Sequence, residues 1–331
     1  MRSLFVGIFL FILAWVVHIG VFFINPPFSG EIQKDVRIME GASFKSVSDL
    51  LTEHRVITYS PYFRLLGQWG GRDQKIKPGR YIFNTTMRPV EVLDMLVLGK
   101  ISQKEVIIRE GLSDREIARI LYHAGLGSEE DFLAATRDPM LLHEFGIGAE
   151  SLEGYLFPDT YFIAEGSSPE DIIKQMVNRF KSRFGALLEK KEVTSDLTQR
   201  EIVILASIID KETSSSNERS IISAVFHNRL RQGMRLQSDP TVIFGLADFN
   251  GNLTRKDLLT PSPYNTYVIP GLPPSPIGNP GAAAMAAALV PAEVDYLYFV
   301  SKNDGTHYFS KTLEEHNAAV NKYQRLTHPQ F

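Results

Sequence analysis

The chain has 331 residues, and 44% of them are hydrophobic, which supports packed cores and argues against wholesale disorder. The formal net charge is −3, and no stripe of Lys and Arg interleaves with aromatics, so nucleic acid is excluded as a partner. The absence of cysteine excludes thiol catalysis, disulfides and cysteine-ligated metals. From Leu4 to Ile24 no residue is charged, and roughly 20 apolar residues suffice to span a bilayer. Arg2 precedes this run and Asn25-Pro26-Pro27 ends it, so residues 1–3 are expected in the cytoplasm and the rest beyond the membrane. A cleaved signal peptide is the competing reading, but the run is longer than an ordinary signal core and no small-x-small site follows. The expected location is thus the cytoplasmic (inner) membrane, single-pass, with the folded domains on its periplasmic or outer face.

Val36 to Met39 alternates like a strand, Glu40-Gly41 turns, and Ser43 caps a helix carrying Val47, Leu50 and Leu51. A second helical pattern runs from Ile57 to Trp69, a turn and strand from Lys77 to Phe83, and an amphipathic helix from Pro89 to Leu98. The order strand, helix, helix, strand over residues 30–105 resembles a LysM-like module, a glycan-binding unit, although a spacer would read the same way. Residues 106–331 then form a larger mixed α+β domain. Glu105 to Ile108 reads as a strand, and Glu110-Gly111-Leu112-Ser113 repeats the earlier Glu40-Gly41-Ala42-Ser43 between a strand and a helix.

Leu152 to Tyr161 is too rich in aromatics, Gly and Pro for a regular helix and reads either as a packed loop or as the wall of a sugar groove. Helical patterns follow at Ser168–Leu188, Thr198–Glu212 and Asn217–Gln232. Pro261 to Pro280 holds seven of the 18 prolines and predicts an ordered loop rather than a helix or strand. Gly281 to Leu289 is an Ala-rich helix, and Tyr296–Ser301 with His307–Ser310 makes a hairpin around Asn303-Asp304-Gly305.

The chemistry concentrates on the helix that begins at Thr198. Thr198-Gln199-Arg200-Glu201 is a capping box, and Ile202, Leu205, Ile209 and Glu212 then share one face. A carboxyl at the end of an apolar stripe is hard to ionise, which suits a general acid. The competing reading is a Glu that is exposed or paired, with Arg219 as partner. Asp210, on another face, and Lys211 read as solvated surface. The eight His residues are scattered without a metal-binding spacing, so no metal or other cofactor is expected. Ser207 and Lys211 stand at i, i+4, which is the wrong spacing for a Ser/Lys dyad.

The segment Leu205 to Thr213 resembles the signature helix of the endolytic murein transglycosylases. Val225-Phe226-His227-Asn228-Arg229-Leu230 and Gly233 to Val242 extend the match, as do Ser262 to Tyr267, Gly271-Leu272-Pro273-Pro274, Asn279-Pro280-Gly281 and Tyr296 to Val300. The resemblance runs from the anchor to about Tyr323. It implies lytic cleavage of the β-1,4 bond between N-acetylmuramic acid and N-acetylglucosamine within nascent strands, leaving 1,6-anhydro ends. The family's acid maps onto Glu212, whereas its usual preceding Glu is Asp210 here. Gln237, Asp239, Tyr264, Asn265 and Asn279 are the polar candidates for substrate contact, with Asn265 and Asp239 also able to brace loops. Peptidoglycan strands are the implied partner, together with peptidoglycan synthases. A hydrolytic muramidase and a non-catalytic wall-binding scaffold are the rival readings.

Overall fold

The structure is a computed structural model that describes residues 2–99, 102–190, 193–213 and 215–325. The chain divides into two compact units, Met1–Glu105 with Phe162–Ser167, and Val106–Tyr161 with Ser168–Phe331.

The first unit opens with helix α1, Arg2–Ile24. The side chains of residues 2–8, 11, 12, 16 and 24 lie outside the description. The expected span at Leu4 to Ile24 therefore falls partly outside it, and among the described residues no helix is long and apolar enough to cross a membrane. Strand β1 (Gln33–Ile38), helices α2 (Phe44–Glu53) and α3 (Ser60–Gln68), strand β2 (Gly79–Asn84) and helix α4 (Pro89–Leu98) follow. β1 and β2 pair antiparallel with Val36 opposite Tyr81. Their inward residues Val36, Ile38, Tyr81 and Phe83 meet Val47, Leu51, Phe63, Leu93 and Leu96 in one core. Each such full burial contributes roughly 1.5–3 kcal/mol relative to exposure. The C-terminal end of α1 joins this core through Phe23. The rings of His18 and Phe22 meet Tyr62 of α3 edge-on, with centroids 5.9 and 5.4 Å away.

Strand β3 (Gln103–Ile107) pairs with β4 (Thr160–Ala164). Residues 162–167 return to the first unit, where Glu165 ion-pairs with Arg80 and donates its N–H to the Ser102 carbonyl. The sequence carries no local mark of this return. The repeated Glu-Gly-x-Ser phrase has one geometry at both sites. Gly41 and Gly111 take φ of 74° and 75°, a region that favours glycine. Ser43 and Ser113 then cap α2 and the next helix, α5 (Asp114–His123).

The second unit continues through α6 (Glu129–Ala135), α7 (Pro139–Phe145) and α8 (Pro169–Glu189). Next come α9 (Gln199–Glu212), α10 (Arg219–Arg231), α11 (Asp239–Gly245), α12 (Arg255–Leu259) and α13 (Ala282–Leu289). A hairpin of β5 (Tyr298–Ser301) and β6 (His307–Ser310) and helix α14 (Leu313–Val320) close it. Residues 260–281, the proline-rich stretch, are irregular as expected. The molecule is a mixed α+β protein with three two-stranded sheets among the described residues.

One expectation about α9 needs correction. Ile202 to Ile209 are all buried, not a single stripe of them. Phe180 and Phe184 of α8, Ile222 and Phe226 of α10, and Ala284, Met285 and Ala288 of α13 share the core that encloses this helix. The small side chains of α13 permit close helix approach, so α9 becomes a central strut hydrophobic all round.

Candidate active site

α9 starts where its sequence says. Thr198 and Glu201 form a reciprocal capping box, satisfying two helix-start donors. The helix ends at Glu212 because Thr213 turns to an extended conformation, with φ −147°. Ser207 donates to the Ile204 carbonyl and accepts the Ile277 N–H at 3.0 Å, so its hydroxyl serves the fold. Lys211 instead approaches Glu116 at 3.9 Å.

The Glu212 carboxylate accepts a hydrogen bond from Ser238 Oγ. Ser238 is itself fixed from both sides. Its N–H donates to Thr266 Oγ1 at 3.0 Å, and its carbonyl accepts from Thr241 Oγ1 at 2.6 Å. The Thr241 and Thr266 hydroxyls are 2.8 Å apart, and all three residues are buried. Gln237, just before Ser238, takes φ +51°, a costly region for a residue other than glycine. Two contacts hold it there: its N–H donates to the Thr266 carbonyl, and buried Arg229 donates to the Leu236 carbonyl at 2.7 Å.

Burial pushes the Glu212 carboxyl up to about 7, and the neighbouring charge of Asp239 adds to the rise. The Ser238 hydrogen bond and the Arg229 charge pull the other way. A carboxylate at a helix C-terminus also meets the negative end of the helix dipole, which favours the protonated form. Yet Glu212 is only half-buried by surface accessibility. Protein crowds it closely without covering it completely. A shallow depression of about 460 Å³, lined in part by Thr198, Arg200 and Leu272, lies at the opposite end of α9.

The other expected residues fall into two groups. Asp239 and Gln237 adjoin the Glu212 network. Asp239 accepts from the Tyr267 hydroxyl at 2.6 Å, and Gln237 lies at 3.5 Å from Arg229 Nη1. Asn265 and Asn279 are 1% and 0% exposed and brace loops. Asn265 Nδ2 donates to carbonyls of Asp257, Leu258 and Thr260. Asn279 accepts from the N–H groups of Gly154 and Leu156 and donates to Leu112, Asp114 and Glu153. Their amides are thus used by the fold. Tyr264 is intermediate: its hydroxyl meets Ser275 at 2.7 Å and its ring meets Phe244 edge-on.

Residues 36–322 match the YceG-like family. The chain belongs to the YceG-like family. It is 31% identical to the endolytic murein transglycosylase of Bacillus subtilis, over 92% of this chain and 90% of that protein. The endolytic murein transglycosylase of Streptococcus pneumoniae R6 is 27% identical, and the chain spans only 57% of its length. A crystal structure of a yceG-like protein from Listeria monocytogenes superposes with a TM-score of 0.58 at 33% identity, covering 88% of this chain and 100% of that one.

Two readings of this YceG-like chain change with its structure. Asp210 is not solvated surface: its side chain is 2% exposed, accepts the Gly281 N–H at 3.1 Å and lies 3.5 Å from Arg219. Burial pushes it up to about 6. Arg219 pairs with Asp210 and Glu110 rather than with Glu212. Both changes follow from the loop that precedes α13, which covers this face of α9. Gly281 approaches so closely that a Cβ there would lie 2.0 Å from Glu110.

Sequence reasoning missed Ser238, Arg229 and Tyr267. Ser238 precedes Asp239-Pro240, where a serine reads as an ordinary helix cap. It stands at the N-cap of α11 but makes no capping hydrogen bond. Its hydroxyl is turned to Glu212 instead. A local rule broken in this way marks a functional position, but only coordinates reveal the diversion.

Proposed function

We propose that this chain is a lytic endotransglycosylase that cuts the bond between N-acetylmuramic acid and N-acetylglucosamine in peptidoglycan, with Glu212 as its acid/base. The observation that carries the reading is the Glu212 carboxyl, raised to about 7, held by Ser238 and not completely covered by protein. A neutral carboxylic acid at working pH can protonate the leaving glycosidic oxygen. The resulting carboxylate then accepts the proton of the muramic 6-hydroxyl as that oxygen closes the 1,6-anhydro ring. Water takes no part, so one carboxyl serves both steps, whereas hydrolysis ordinarily requires two. Membership of the YceG-like family and the activity for which the Bacillus and Streptococcus relatives are named support the same reaction class. Product analysis tests it: lysis leaves anhydro ends, and hydrolysis leaves reducing ends.

Asp239 and Gln237 are the polar groups best disposed to meet sugar beside Glu212, because Asn265 and Asn279 are occupied by the fold. Leu4 to Ile24 anchors the protein in the cytoplasmic membrane as a single pass, with the chain that follows on the outer side. The uncharged run supports this, as do the exposed side chains of Phe9, Leu13, Trp15 and Val17 along α1. Residues 30–105 act as a LysM-like unit, supported by the order of β1, α2, α3, β2 and α4. Nascent strands lie near such an anchor, which favours a role in ending strand growth beside the peptidoglycan synthases.

A further inference from the structure

The length of α1 does not fit its contacts unless the first unit touches the bilayer. A helix rises ~1.5 Å per residue, so the 14 residues from Leu4 to Val17 reach only ~21 Å. The hydrocarbon core of a bilayer is ~30 Å thick. The missing ~9 Å must come from residues beyond Val17, and these are the ones the unit grips. His18 and Phe22 meet the Tyr62 ring, Ile19 is buried, and Phe23 packs against the core.

The surface around this grip is apolar. Tyr62 and Leu65 lie three apart on α3, and Tyr59 and Trp69 flank it as its N-cap and C-cap residues. Tyr62 in the middle touches α1 and meets Tyr59 at 4.8 Å. Tyr59, Leu65 and Trp69 are 50%, 46% and 77% exposed. Tyr and Trp favour the membrane interface, where an amphipathic ring faces both lipid and water.

We propose that α3 lies at the outer boundary between hydrocarbon and headgroups, with Tyr59, Leu65 and Trp69 turned to lipid. The first unit is then seated on the bilayer and not held away from it on a tether. This seating rests on α1 being a membrane span, and the experiment below separates the two.

The chain has two tryptophans, Trp15 in α1 and Trp69 at the end of α3. Two single-Trp full-length variants, Trp69→Phe and Trp15→Phe, are reconstituted in phosphatidylcholine–phosphatidylglycerol vesicles containing lipids brominated at shallow or deep acyl positions. Trp15 fluorescence should be quenched by bromolipid at both depths. Trp69 should be quenched at least twofold more by shallow than by deep bromines, and lipid should shield it from aqueous iodide. If Trp15 is quenched while Trp69 ignores both bromolipids and responds fully to iodide, the seating is wrong and the anchor stands. If neither is quenched, the anchor itself fails and the seating with it. If Trp69 responds to added chitin oligomers but not to bromolipid, the stripe is a glycan surface and the proposal falls.

Discussion

Ser238 Oγ donates to Glu212 across the gap between α11 and the end of α9, and this bond replaces the helix cap that Ser238 would otherwise make. The acid is thus held by a hydroxyl whose own backbone is clamped through Thr241 and Thr266. A residue held in this way keeps its reacting oxygen in place without being ionised.

Glu212→Gln keeps the shape and polarity of the side chain and removes its titratable proton. General acid/base assistance commonly contributes about 10²–10⁴-fold. The variant should fold, bind glycan strands and lose at least that factor in the rate of strand cleavage, measured by release of soluble muropeptides.

The same proton gives a pH signature. Cleavage must begin from the protonated acid, so the rate should fall as pH rises through about 7. Ser238→Ala removes a hydrogen bond that favours the ionised carboxylate, and the alkaline limb should therefore move upward. A pH–rate profile of both proteins checks this; an unmoved limb would show that the limb belongs to another group.

Stability should follow the same group with a defined sign. The folded protein holds a proton on Glu212 that the unfolded chain releases above its ordinary value of 4.5. Stability from this site is therefore greatest below about 4.5 and declines as pH rises through about 7. Glu212→Gln abolishes the decline, and its stability relative to the parent should be about 2–3 kcal/mol more favourable at pH 8 than at pH 5. Denaturant unfolding at the two pH values measures the difference.

Much of this arrangement was legible in the sequence, and the reasons differ by residue. Thr198 and Glu201 mark the start of α9 through purely local chemistry, so the capping box was readable. The place of Glu212 at the end of α9 was readable from the helix that starts at Thr198, but the single apolar stripe was not, because Ile202 to Ile209 are buried on every side by partners distant in sequence. The burial of Asp210 was not, because it depends on Gly281, 71 positions away, arriving against it. The same holds for Asn279, whose partners at Gly154 and Glu153 lie 125 and 126 positions distant. Polarity in a family-like block reads as substrate contact until the fold reveals that the hydrogen bonds are already made.

Asn279 therefore offers a test of bracing against binding. Asn279→Ala would leave the buried N–H groups of Gly154 and Leu156 unpaired and withdraw a donor from Asp114 and Glu153. The expected loss is roughly 3–5 kcal/mol of stability. The protein that remains folded should bind glycan normally in a pull-down with purified sacculi; weakened binding at unchanged stability would return Asn279 to the substrate site.

Asp210 separates in the same manner from Glu212. Asp210→Ala deprives the Gly281 N–H of its acceptor and should cost about 1–3 kcal/mol. Asp210→Asn keeps an oxygen there and should cost less. In both, the folded fraction should cleave strands as the parent does, which activity normalised to thermal unfolding will report.

The most direct test of the central claim is the chemistry of the new chain ends. Purified full-length protein in lipid is incubated with nascent, uncrosslinked glycan strands, and the products are separated and identified by mass spectrometry. Internal cleavage that leaves 1,6-anhydro-N-acetylmuramic acid ends, abolished in Glu212→Gln, is the predicted result. Reducing ends bearing the elements of water, or anhydro ends that persist undiminished in Glu212→Gln, would contradict a lytic reaction run by this one carboxyl.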